Sequence, residues 1–99
     1  MAILKIYAGK LEKPLMLALN KESDAQARKF LATALIRLGK SALPVLRDHL
    51  EDSRWYVVRN ATSILAEIRD QQTAVHMPPL LHHEDVRVRR EAIRALTKN

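Results

Sequence analysis

Apolar residues recur along the chain at the i, i+4, i+8 spacing that lines one face of a helix, and the same stretch returns three times. Residues 27–35 (ARKFLATAL), 57–65 (VVRNATSIL) and 88–96 (VRREAIRAL) superpose without gaps at spacings of 30 and 31. Ala27, Val57 and Val88 open the pattern; Leu31, Ala61 and Ala92 follow one turn later; Leu35, Leu65 and Leu96 close it. A basic residue (Lys29, Arg59 or Arg90) holds the third position of each stretch. Shorter apolar segments lie at residues 13–19, 43–50 and 77–81, each with Pro near its start. Pro is tolerated there because the first N–H groups of a helix have no helical acceptor. The predicted unit is a helix of about fifteen residues, a tight turn, a shorter helix and a second turn. Breaks fall at Gly39-Lys40 and Arg69-Asp70-Gln71, while Asp24, Asp52 or Ser53, and Asp85 occupy the places of N-caps.

The middle repeat shows how such units pack. Wound as a helix, Val57, Ala61, Ile64, Leu65 and Ile68 form one apolar arc, and Trp55, Val58, Thr62 and Ala66 a second beside it. A helix with two apolar arcs has two neighbours, its own partner and the next unit, as an α-solenoid requires. Trp55 falls on the second arc, in the slot of Ala25 and Val86, and is expected to pack between units; the competing use is a stacking platform for a base or ligand. Tyr56, in the slot of Gln26 and Arg87, points outward with Arg59, Asn60 and Ser63. In the third unit Arg87, Arg90, Arg94 and Lys98 share the face opposite the core as a basic stripe. Stacking is expected to bring Lys29, Arg59 and Arg90 roughly into line.

Ala8-Gly9-Lys10 matches Leu38-Gly39-Lys40, so residues 2–8 read as the tail of a preceding first helix. A single domain, 1–99, then divides into a partial repeat (2–22), two repeats (23–52 and 53–83) and a partial repeat (84–99), as expected of a segment of a longer array. Stacked repeats bury their apolar faces only against neighbours, so open ends are expected to support self-association.

This organisation resembles the HEAT repeat, in particular the short HEAT-like repeats named after phycobilisome lyases. D-A-Q-A-R (24–28) and D-V-R-V-R (85–89) are similar to that family's D-x-x-V-R helix start, with the A-x-x-x-L spacing and Leu38-Gly39 in support. The second unit departs, with Trp55 where alignment on Arg59 places the Asp; the equivalent Arg is open between Arg89 and Arg90. The resemblance implies an all-α fold, a right-handed α-solenoid of antiparallel helix pairs, that presents an extended surface to other macromolecules.

Composition narrows the function classes. Apolar residues at 47% with charged residues at 28% describe a soluble protein, and the absence of cysteine excludes disulfides, thiolate metal sites and a Cys nucleophile. The net charge of +6 is uneven: residues 1–50 hold nine of the 17 Lys/Arg but only four of the 11 acids. The N-terminal apolar run, interrupted by Lys5, is too short to span a membrane or to form a signal peptide's core, and a cytoplasmic setting is the expectation. His49, His76, His82 and His83 lack ligand spacing, no phosphate loop or nucleophile motif occurs, and no carboxylate pair is placed around a pocket. No metal, cofactor or catalytic residue is therefore expected. The leading reading is a non-enzymatic scaffold that binds another protein through Tyr56, Arg59, Asn60, Ser63, Arg87, Arg90, Arg94 and Lys98. The alternative is a nucleic-acid-binding module using the basic stripe, weakened by 4% aromatic content. A chromophore-lyase-type enzyme, which the resemblance brings in, ranks third.

Overall fold

The computed structural model describes residues 6–98. Among them six α-helices follow in order: α1 (Glu12–Lys21), α2 (Ala25–Leu38), α3 (Leu43–His49), α4 (Trp55–Ile68), α5 (Thr73–His76) and α6 (Val86–Thr97). Tighter 3-10 turns occupy Gly39–Ala42 and Pro78–His82. The helix tail expected over residues 2–8 falls mostly on residues 1–5, which lie outside the described residues.

The helix starts show why the repeat has its register. Asp24 accepts a hydrogen bond from the Ala27 N–H and Asp85 one from the Arg87 N–H, both at 2.8 Å, so each caps its helix as expected. The second unit corrects the sequence reading: the N-cap of α4 is Arg54, without a side-chain cap bond, and neither Asp52 nor Ser53. Asp52 lies two residues upstream, and its carboxylate ends on the N–H and guanidinium of Arg54 (2.8–2.9 Å). Asp24, Arg54 and Asp85 are therefore equivalent positions, which makes Arg28, Val58 and Arg89 equivalent too.

The helix ends differ from one another. Gly39 closes α2 at φ 64°, ψ −129°, a conformation open essentially to glycine alone. Arg69 closes α4 in the left-handed region (φ 59°, ψ 40°) without the relief a missing Cβ gives. The second helix of the 53–83 unit is more broken than expected for residues 77–81. A single α-turn at Thr73–His76 gives way across Met77 to a 3-10 turn, because Pro78 and Pro79 have no N–H with which to continue an α-ladder.

Two layers result. The long helices α2, α4 and α6 lie side by side, and α1, α3 and the α5–3-10 segment back them. Between the layers sits one core containing Met16, Leu35, Leu46, Leu65, Met77 and Val88. Helix α4 buries both predicted arcs, Val57, Ala61, Ile64 and Leu65 with Val58, Thr62 and Ala66. The buried Thr62 hydroxyl donates to the Val58 carbonyl at 2.8 Å, so the one polar member of the arc is satisfied. Matching positions in the outer helices, Ala27, Leu31 and Leu96, are only half-buried. Among the described residues α4 alone has a long helix on each side.

Candidate functional site

Where α4 begins, its first turn meets the first turn of α6. Trp55 packs against the core on the seam between the units, and the Arg87 guanidinium lies 3.4 Å from its ring centroid. The Asp85 carboxylate grips Arg87 at 2.9–3.1 Å and so holds the guanidinium against the indole. This pairing keeps Arg87 charged and pulls Asp85 down to about 2. Arg59 approaches the indole as well, at 5.1 Å. The packing role expected for Trp55 is thus the one observed, with cations at its ring. Tyr56 sits edge-on to Trp55, with centroids 5.9 Å apart and planes at 88°, and remains 36% exposed. Arg54 lies 5.9 Å from the Tyr56 ring centroid.

The basic stripe of α6 is not a free face. Arg94 donates to Glu91 on its own helix and crosses to Glu67 and Ser63 on α4, at 3.2 Å each, while Lys98 pairs with Glu67 at 3.0 Å. Both partners hold the Glu67 carboxyl below its ordinary range, Lys98 foremost. Arg87, Arg94 and Lys98 therefore face the α4 seam rather than standing opposite the core. Ser63 is likewise engaged, as acceptor from Arg94. Arg90 is exposed and has no ion pair among the described residues.

Arg59 has a different environment. In the outer units Arg28 donates to the Ser23 and Glu22 carbonyls and Arg89 to that of His83, each tying the preceding turn to its helix. This settles the sequence ambiguity in favour of Arg89 over Arg90. The central unit has Val58 at that slot, buried, so Arg59 one residue on has no turn carbonyl to tie. Its hydrogen bond goes to the Asn60 side chain at 3.0 Å, and no carboxylate pairs with it among the described residues. Burial disfavours its charge, and the nearby guanidiniums of Arg28 and Arg87 add repulsion that Glu91 and Asp85 only partly offset.

Arg59 and Asn60 line a groove of about 340 Å³ with Trp55, Tyr56, Arg28 and residues 19–23, which are the end of α1 and the start of the α1–α2 turn. Asn20 belongs to it, and both its amide nitrogen and its oxygen are buried without a hydrogen-bond partner among the described residues. Sequence reasoning found Tyr56, Arg59 and Asn60 but missed Asn20 and Arg28, which come from other elements. The only sequence signal for Arg28 is its place in D-A-Q-A-R; none exists for Asn20. Among the described residues no group of His and carboxylates is arranged to hold a metal ion, and no helix is long and apolar enough to cross a membrane.

Paired helices stacked in two layers around a continuous core define a helical-repeat protein. The chain belongs to the HEAT repeat family: the family model for HEAT repeats matches residues 12–97. A search of curated proteins and a search of solved structures each return no match.

Proposed function

We propose that the protein is a non-enzymatic scaffold that binds another protein on the outer surface of α4 and α6. The binding surface would comprise Tyr56, Arg59, Asn60 and Ser63 with Arg87, Arg90, Arg94 and Lys98. HEAT repeats generally serve as helical scaffolds for protein interactions, which supports the class of function. The observation that carries the surface is Tyr56. It is exposed yet fixed against Trp55, and a preorganised aromatic flanked by arginines loses little entropy when a partner covers it. A cytoplasmic setting belongs to the same proposal.

A photoreactive benzoylphenylalanine at position 56 tests this reading, with the exposed Ala74 as comparison site. Discrete protein adducts are expected from position 56 and not from position 74. Adduct patterns that are identical at the two sites, or absent from position 56, would overturn it.

The nucleic-acid reading retains one supporting observation, the net charge of +6. Against it, Arg94 and Lys98 are already neutralised by Glu67 and Glu91, and one guanidinium already covers Trp55 where a base would stack. Under this reading Arg87→Glu combined with Arg94→Glu abolishes oligonucleotide binding and its salt dependence. Unaltered binding by that double variant would exclude the stripe as the contact.

A further inference from the structure

The groove beside Arg59 narrows the chemistry of the partner. We propose that it receives an extended, carboxylate-bearing segment of the partner protein, an acidic side chain resting on Arg59 and Arg28 and the segment's peptide groups on Asn20 and Asn60. The proposal rests on the scaffold reading above and specifies one contact within it.

Three observations converge on this contact. Arg59 is partly buried among like charges without a carboxylate of its own, which is a cost to the free protein that one bound anion would remove. Arg28 spends Nη1 on the turn carbonyls, leaving Nε and Nη2 to donate to the same anion. The Asn20 amide is unpaired and closed off beneath the groove wall, and a turn of its side chain into the groove would present a donor and an acceptor to the C=O and N–H of a peptide group. The Glu22 carboxylate, which also borders the groove, is turned to the Asp24 N–H at 3.0 Å.

The same geometry favours an acidic peptide over a nucleic acid. Glu22 lines the groove, and Asp85 and Glu91 act on Arg59 from beside it, so the uncompensated charge is local. A single carboxylate fits such a spot, whereas a run of phosphates would meet the flanking acids.

Trp55, the chain's only tryptophan, lines the groove and reports on its occupancy. The full chain is titrated with a blocked Ser-rich peptide bearing one Glu, with its Gln counterpart, and with oligothymidylate, while Trp55 emission is followed. The Glu peptide is expected to bind and the Gln peptide not to. Arg59→Gln should weaken binding about tenfold or more, as loss of a charge-assisted hydrogen bond does, while Arg37→Gln, an equal charge change on the far side of α2, leaves it intact. Asn20→Leu supplies a second signature: it should bind the peptide more weakly yet unfold at a higher denaturant concentration, because it removes an unsatisfied amide. Equal binding of the Glu and Gln peptides to the wild-type chain would overturn the proposal even if Arg59→Gln failed to fold. So would binding of oligothymidylate alone. Position-56 adducts obtained alongside either negative result would leave the scaffold reading standing and remove only the acidic contact.

Discussion

Leu65 and Tyr56 stand nine residues apart on one helix and should respond very unequally to truncation. Leu65 is fully buried, so Leu65→Ala removes contacts and leaves a cavity, costing about 2–5 kcal/mol. Tyr56 is exposed and touches chiefly Trp55, so Tyr56→Ala should cost less than about 1 kcal/mol. Denaturant titration of both variants checks the helix phase, since equal losses would show it to be wrong. The aspartates make a second prediction. Pairing with Arg54 pulls Asp52, and pairing with Arg87 pulls Asp85, from 3.8 to about 2. Both pKa values are lower in the folded state than in the unfolded, so the stabilisation is complete above about pH 4 and is lost as pH falls towards 2. The unfolding midpoint should drop across that window. Asp85→Asn should flatten part of the drop while retaining an acceptor for the cap, and salt should shrink it because these groups lie near the surface.

At the scale of the element, the ends of α2 and α4 are a natural comparison. A Cβ at Gly39 would meet nothing within 4 Å, so any penalty for Gly39→Ala comes from the backbone conformation rather than a clash. That penalty should be about 1–3 kcal/mol. Arg69 bears a side chain in the left-handed region, and Arg69→Gly should stabilise the fold by up to about 1 kcal/mol, the relief of strain exceeding the added freedom of the unfolded chain. Thermal unfolding of both variants should therefore shift in opposite directions. Helix starts and stops were largely legible from Asp24, Gly39, Asp85 and the prolines, because caps act within a few residues. Arg54 was not, because only the path of the turn after α3 decides which residue of Asp52-Ser53-Arg54 precedes the first helical one.

For the whole molecule, three of the exposed apolar side chains lie on the two outermost long helices. Phe30 on α2 is 79% exposed beside Lys29 and Arg37; Val86 and Ile93 on α6 are 43% and 54% exposed, with Arg90 on the same helix. Val86 and Ile93 occupy slots that Trp55 and Thr62 fill on the α4 seam, so these faces suit stacking on another helix. If two copies stacked in the register of that seam, Lys98 would take the place of Glu67 and meet Arg37, a like-charge contact in place of an ion pair. Self-association should therefore be weak at low salt and strengthen as salt screens the contact. Sedimentation across salt concentrations reads this directly; association that weakens with added salt would contradict it.

Periodicity alone determined that the chain is a stack of helix pairs, since a 30–31-residue repeat of apolar faces has few other ways to leave water. It also sorted Trp55 inward and Tyr56 outward, because 100° per residue fixes which side chains share a face. Which charges are spent and which remain was decided by the tertiary structure. Arg94 and Lys98 look free along α6 until Glu67, about thirty residues earlier, arrives across the seam. Arg59 looks like any repeat arginine until Val58 takes the turn-tying slot and the unpaired amide of Asn20 comes to line the same groove. Those pairings join residues far apart in the chain, and their energies depend on distances that only the folded packing sets.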